Sequence, residues 1–190
     1  MSDLRLSADT EAPLDALVEK PERATPFYWQ ELDWQALWIK YQRLRNKPDN
    51  VLDWNARAAE HATRDALSPY AERFIDYLAL DPGWSVLDVG CGWGTLALPL
   101  AEAGHEVIAI DFAERMLKVV ETRMQTEKVT GITTKLLSWD DDWAVAGITE
   151  KSVDVAIASR STMVSDLWET LKKLNRTARA KVAMTLKSFC

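Results

Sequence analysis

The sequence predicts an α/β protein: a parallel sheet of about five strands flanked by helices, with a helical cap at the N-terminal end. Three observations carry this. Short apolar runs at residues 86–89, 107–110, 132–137, 153–158 and 181–186 alternate with stretches of helical periodicity, and such alternation gives parallel strands joined by right-handed crossovers. The first run breaks into a loop with glycines at 90, 92 and 94. Roughly 80 residues ahead of it show helical spacing and no strand pattern.

The totals narrow the classes. A chain of 190 residues buries one good core and leaves room for an appendage. With 47% hydrophobic and 27% charged residues it is globular rather than disordered. A net charge of −6 disfavours nucleic acid as the main partner. No apolar run reaches the roughly 18 residues of a membrane span, and the N-terminus lacks a signal-peptide core. Two cysteines, Cys91 and Cys190, make no disulfide framework, so a cytoplasmic location is expected.

In chain order, residues 1–26 place Pro13, Pro21 and Pro26 among acids and read as a loose arm, with a short helix around 14–18. Trp34, Leu37, Trp38, Tyr41 and Leu44 then share one helical face, which either packs on the core or in part lids a substrate pocket. A second helix is expected after Asp53 as N-cap, with Trp54, Ala58, Ala62 and Ala66 down one side and Arg57 and His61 on or beside it. Ser68 and Pro69 read as a cap and a first-turn proline, followed by the stripe Tyr70, Phe74, Tyr77 and Leu78. Asp81, Pro82 and Gly83 turn the chain into the first strand.

Past the glycines a helix is expected over about 95–102, with Pro99 an oddity inside it. His105 sits in the tight turn that follows and reads as structural. After Asp111, Phe112, Met116, Val119 and Val120 make a core-facing stripe, with Glu114 and Lys118 paired four apart and the helix ending near Gln125. The third strand runs into Ser138, Trp139, three acids at 140–142, and Trp143. The fourth leads to Ser159, Arg160, Ser161 and Thr162. Arg160 either holds an anionic substrate or pairs with a nearby acid. Ser165 is expected to cap a helix bearing Leu167, Leu171 and Leu174, with Lys172, Lys173 and Arg176 at the end that favours cations.

The chemistry concentrates at the glycine loop. Glycine lets the backbone turn sharply and lets a ligand sit against it. The helix start beyond it offers N–H groups to a negative ligand group. A carboxylate at the tip of the next strand, Asp111, suits a ribose diol.

Together, Asp88, the glycines at 90, 92 and 94, and Asp111 resemble motif I and the next acidic motif of class I S-adenosylmethionine-dependent methyltransferases. The pattern departs from the nicotinamide fingerprint, because position 95 is Thr and an acid stands two residues before the first glycine. The resemblance implies a Rossmann-like domain over 81–190 that binds S-adenosylmethionine, and an arm and helical cap over 1–80. It implies that the loop from Gly90 through Cys91 and Gly92 to Gly94 holds the aminoacyl end of the cofactor, and that Asp88 braces the loop or meets the ammonium. Asp111 takes the ribose hydroxyls. Phe112 and Trp139 flank the adenine, whose amino group meets an acid aligned with either Asp140 or Ser138. Met116 and Ser159, the latter beside the reacting methyl, complete the set, and Arg57 reaches the cofactor carboxylate from the cap. No catalytic base and no metal site identify themselves. The family's sheet has seven strands, its last two a hairpin beside the fifth, and only five fit here. The bare last strand is then covered by a second copy, as a homodimer, or by the N-terminal helices, or the chain is a shortened relative. The expected function is methyl transfer to a small-molecule acceptor; the alternative is a non-catalytic relative that binds the cofactor or acts by association.

Overall fold

In the computed structural model, which describes residues 33–44, 50–61, 68–162, 164 and 166–185, the apolar runs pair into one parallel sheet. Its strands are β1 (Ser85–Val89), β2 (Glu106–Asp111), β3 (Ile132–Leu136), β4 (Val153–Ser159) and β5 (Ala178–Thr185), in the order β3-β2-β1-β4-β5. Every element described here belongs to the unit Trp34–Cys190. The arm expected over 1–26 lies outside the described residues. No helix among the described residues is long and apolar enough to cross a membrane.

Alternation along β1 sends Val86 to one face and Leu87 and Val89 to the other, so both faces need cover. On the first face lie α3 (Pro69–Leu78), α4 (Ala97–Glu102) and α5 (Glu114–Glu127), through Phe74, Leu98, Leu100 and Val120. The second is covered by α6 (Leu167–Thr177), through Leu174, and by Trp143 and Ile148 of the loop after β3. A third cluster joins α2 (Val51–His61) to α5: Ala58, Ala113 and Met116 with Trp54 and Trp93 against them. In α1 (Trp34–Leu44), Trp38 donates its Nε1–H to Val164 O at 2.7 Å, and its ring tilts against Tyr41. Leu37, expected on the same face, is exposed.

Several boundaries differ from the sequence reading. Asn50, not Asp53, caps α2: its Oδ1 accepts the Leu52 N–H at 2.9 Å, leaving Asp53 in the first turn, where the helix dipole favours an acid. Asp166 caps α6, its Oδ1 accepting Glu169 N–H at 2.9 Å; Ser165 lies outside the described residues, as do Ala62 and Ala66. Ser68 caps α3 as expected, but Tyr77 is 83% exposed and Ala71 takes the buried place, because the inward face runs 71, 74, 78. Helix α4 begins at Ala97 rather than 95. Pro99 thus falls in the first turn, where no N–H is required of it, and ceases to be an anomaly. Strand β5 starts three residues early, because a register shift against Val153–Val155 absorbs the extra length. His105 is structural: its Nδ1 bonds Trp84 O at 3.0 Å.

At the edge away from the glycines, Asp154 ties three strands. Arg179 Nε donates to its Oδ1 at 2.8 Å, and Ser85 N–H and Oγ–H donate to its Oδ2 at 2.9 and 2.8 Å. Arg179 first, then Ser85, holds this carboxyl well below the usual carboxylate range. A depressed carboxyl stabilises the fold above its unfolded pKa and loses that contribution as pH falls. Asp154→Asn should therefore cost about 0.5–1.5 kcal/mol at pH 7 and progressively less below about pH 4. Urea unfolding at several pH values measures this; an equal loss at pH 3 would contradict it.

Candidate functional site

The chain lays β1, β2 and β3 outward in one direction and returns to place β4 and β5 on the other side of β1. Ligands of such sheets sit at that reversal, beyond the carboxyl ends of the strands. The residues there are the glycine loop after β1, Asp111 at the end of β2, and Ser159 to Thr162 after β4.

Hydrogen bonds within the protein tie the loop down. Gly90 and Cys91 N–H both donate to Ile110 O, at 2.8 and 3.0 Å, and Gly94 N–H donates to Cys91 O at 3.0 Å. Gly92 N–H donates to Asp111 Oδ2 at 2.9 Å, while Asp111 Oδ1 accepts Ala113 N–H at 2.8 Å. Arg123 of α5, paired with Glu127, reaches Trp93 O at 3.2 Å. The sequence reading expected amide donors aimed at a ligand. The structure shows that the amides at 90, 91, 92 and 94 serve the protein. The first turn of α4 likewise bonds back, Leu98 N–H to Gly94 O at 3.1 Å.

The three glycines differ in purpose, although all have positive φ (70°, 55° and 82°). A Cβ on Gly90 would run into Ser161, whose Oγ–H donates to Val89 O at 2.5 Å. A Cβ on Gly94 would meet Leu98 Cδ1 at 2.9 Å and Val120 Cγ2 at 3.3 Å, which is helix packing. Only Gly92 faces open space, with nothing within 4 Å. It is the one position of the three where a ligand can lie against bare backbone.

Asp88, two residues before the loop, is 2% exposed, and its Oδ2 has no hydrogen-bond partner. Burial first, and the charge of Asp111 second, push its carboxyl up to about 7. A buried acceptor left unsatisfied costs about 1–3 kcal/mol, so it calls for a donor from outside. A cationic ligand group supplies both the donor and the charge that Asp88 lacks. By the same causes, burial and then Asp88 and Asp111, the Cys91 thiol is pushed well up; it is buried in the core and stays neutral.

Trp139 joins the site through Ser161: its Nε1–H donates to Ser161 O at 2.8 Å, and its ring tilts against Trp143 at 5.5 Å. Lys173 of α6 holds the same loop, donating to Trp139 O at 2.7 Å and Asp141 O at 2.6 Å. Asp140 is exposed and lines a cleft of about 270 Å³ against α6, with Asp166 and Lys173. Met116 is buried in the α2–α5 cluster, Phe112 is half-buried, and Arg57 stacks over Trp54 with Cζ 4.8 Å from the ring centre. The structure thus gathers Asp88, Gly90, Cys91, Gly92, Asp111, Trp139 and Ser159 around the strand ends; it turns Gly94 and Met116 to packing, and among the described residues neither Asp140 nor Arg57 hydrogen-bonds the glycine loop. The side chain of His61 lies outside what is described.

Sequence reasoning missed Tyr70. Its hydroxyl bonds Ser159 Oγ at 2.6 Å and Thr185 Oγ1 at 2.9 Å, joining α3 to the ends of β4 and β5. Arg160 lies over the Tyr70 ring, Cζ 4.4 Å from its centre, on a backbone at φ 57° that costs arginine roughly 1–2 kcal/mol. A tyrosine in an apolar helical stripe gives no hint of partners 89 and 115 residues away.

The sequence profile of the methyltransferase domain family matches residues 86–181, just over half of the chain and all of this sheet but Ser85 and the last residues of β5. The chain belongs to the class I S-adenosylmethionine-dependent methyltransferases. The cofactor that goes with this family is S-adenosylmethionine. Among relatives, an uncharacterized protein of Haemophilus influenzae is 33% identical over 136 residues, 70% of this chain and 49% of that protein. The ubiquinone biosynthesis O-methyltransferase of Chromobacterium violaceum is 37% identical over 82 residues, 43% of this chain and 33% of the enzyme. This methyltransferase chain thus spans about half the length of the first of these curated relatives and less of the other. Two solved structures share the fold: a putative S-adenosylmethionine-dependent methyltransferase of Methanococcus maripaludis (TM-score 0.55, 14% identity, 74% of this chain and 67% of that one) and an S-adenosylmethionine-dependent methyltransferase of Aquifex aeolicus (TM-score 0.53, 20% identity, 77% and 71%).

Proposed function

We propose that this methyltransferase moves the methyl group of S-adenosylmethionine to a small-molecule acceptor at the carboxyl ends of β1, β2 and β4. The observation that carries the reading is the buried, partnerless Asp88 Oδ2 near the end of β1, followed by a loop whose Gly92 faces open space. The cofactor's ammonium satisfies Asp88, its ribose lies at Asp111, and Phe112 and Trp139 flank its adenine, with Asp140 as acceptor for the adenine amino group. An indole whose N–H is held by Ser161 O presents its face in a fixed orientation. Asp111 clamps Gly92 and Ala113, which fixes its carboxylate in orientation at the tip of β2.

When bound, the cofactor supplies an electrophilic methyl on a sulfonium, whose carbon–sulfur bond breaks as the bond to the acceptor forms. The chain's share is placement: loop and strand tips fix the donor, and the segment from Ser159 to Thr162 borders the acceptor's approach. Among the described residues, no His, Tyr or acid identifies itself as a general base. Relatives named as O-methyltransferases of ubiquinone and nocamycin biosynthesis support a small acceptor, and the net charge of −6 favours it over nucleic acid. A free, buried Cys91 fits a cytoplasmic setting.

Calorimetric titration with S-adenosylhomocysteine tests this, and Asp88 provides the signature. Its raised carboxyl means the ligand-free fold holds a proton that the unfolded chain gives up near pH 4. That contribution is full below the unfolded value and is lost as pH rises to about 7. Asp88→Asn should therefore stabilise the ligand-free protein by about 1–3 kcal/mol at pH 8 and by less at pH 5. The same change should weaken S-adenosylhomocysteine about tenfold or more, through loss of a charge-assisted bond. In the unaltered protein, affinity should climb between pH 6 and 8 as Asp88 ionises. No binding heat at either pH defeats the proposal; binding indifferent to Asp88→Asn defeats the assignment of the ammonium.

A further inference from the structure

We propose that Tyr70, Ser159, Arg160 and Thr185 form the acceptor subsite, and that it selects a small acceptor carrying a single carboxylate. This rests on the functional reading above and deepens it. Position comes first: Ser159 ends β4, and Ser161, two residues on, packs on Gly90 and bonds Val89 O, so Arg160 borders the glycine loop.

Arg160 is placed rather than neutralised. Its backbone N–H meets Thr185 O and Thr185 Oγ1, each at 3.2 Å, and its left-handed φ of 57° turns the side chain onto the Tyr70 ring. Arg123 and Arg179 are matched with acids, Glu127 and Asp154, whereas Arg57, Arg73, Arg115 and Arg176 are in no ion pair among the described residues; what sets Arg160 apart from these is its place at the end of β4. Arg160 has no ion pair among the described residues, although the chain holds 29 acids against 23 basic residues. Of the two readings left open by the sequence, pairing with a nearby acid therefore falls away. A guanidinium lying over an aromatic face keeps its in-plane N–H edge for a carboxylate, which it grips with two parallel bonds.

Beside it, the Tyr70 hydroxyl links Ser159 Oγ and Thr185 Oγ1. Three hydroxyls in a row each donate or accept, so they adapt to a second polar group on the same molecule. One cation matches one negative charge. A phosphate dianion calls for a second cation, and none is bonded into this cluster among the described residues.

The test uses benzoate, its neutral isostere benzamide, and phenyl phosphate as probes, followed by NMR on the full chain with and without S-adenosylhomocysteine. Benzoate is expected to bind in the millimolar range and shift the signals of Ser159 to Ser161 and the Arg160 side chain. Benzamide should bind about tenfold more weakly, for want of the charge-assisted pair. Arg160→Gln should remove that preference, and Tyr70→Phe should reduce benzoate binding about two- to fivefold by loosening the hydroxyl row. The first comparison needs no variant, so a misfolded Arg160→Gln leaves the test intact. Equal binding of benzoate and benzamide, retention of the preference in a folded Arg160→Gln, or stronger binding of phenyl phosphate overturns the proposal. Failure here with S-adenosylhomocysteine still bound leaves the methyltransferase reading standing. Carboxylate preference without any binding of S-adenosylhomocysteine does the reverse.

Discussion

Asp111→Ala is expected to lower the stability of the ligand-free protein by about 2–6 kcal/mol, because it orphans two backbone amides at once. Gly92 N–H and Ala113 N–H both end on this carboxylate, at 2.9 and 2.8 Å, and the residue is 5% exposed, so water replaces it poorly. The two amides belong to the loop after β1 and to the start of α5, so the loss also slackens the loop against the neighbouring strand. Affinity for S-adenosylhomocysteine should fall with it, since the proposed ribose contact and the loop would share this anchor. Asp111→Asn keeps one acceptor oxygen and should recover about half of the stability. Chemical denaturation of the three proteins, each titrated with S-adenosylhomocysteine, measures both quantities. An alanine variant with an unchanged midpoint would show that the clamp contributes nothing.

Gly90→Ala and Gly92→Ala should behave oppositely in folding and binding. At Gly90 the added methyl runs into Ser161 and strains a φ of 70°, for a combined cost of about 2–5 kcal/mol. At Gly92 the methyl meets nothing within 4 Å, so strain alone remains, about 1–2 kcal/mol, and the protein folds. If the cofactor lies against Gly92 as proposed, that methyl meets it, so Gly92→Ala should bind S-adenosylhomocysteine about tenfold or more weakly. Ser161→Gly should rescue the clash part of Gly90→Ala and leave the strain, a coupling of about 1–3 kcal/mol in a double-mutant cycle. Additive losses would mean that Ser161 is not what requires glycine at 90.

Much of this was legible in the residues. Val86 to Val89 and Val153 to Ala158 read as buried strands because a strand covered on both faces is apolar nearly throughout. Ser68 with Pro69 announced the start of α3, and Glu114 with Lys118 an exposed pair, observed at 2.8 Å. Caps were less secure where two capping residues stand close together. Asn50 and Asp53 compete for one helix start, and only the path of the preceding chain chooses between them. Tyr77 lost its place to Ala71 because a stripe of large residues says which side is greasy, not which side has room.

The sequence by itself determined the parallel strands of the α/β sheet, the glycine loop, the acid before it and the acid at the tip of the next strand, because each follows from local pattern and short spacing. Tertiary structure alone decided that Gly90 serves Ser161 while Gly92 stays open, that the loop amides face inward, and that Tyr70 meets Ser159, Arg160 and Thr185. The Ser161 and Tyr70 contacts span about 70 to 115 residues, and the loop amides reach across to Ile110 and Asp111 of the neighbouring strand; chain direction and packing set these pairings and no local pattern encodes them.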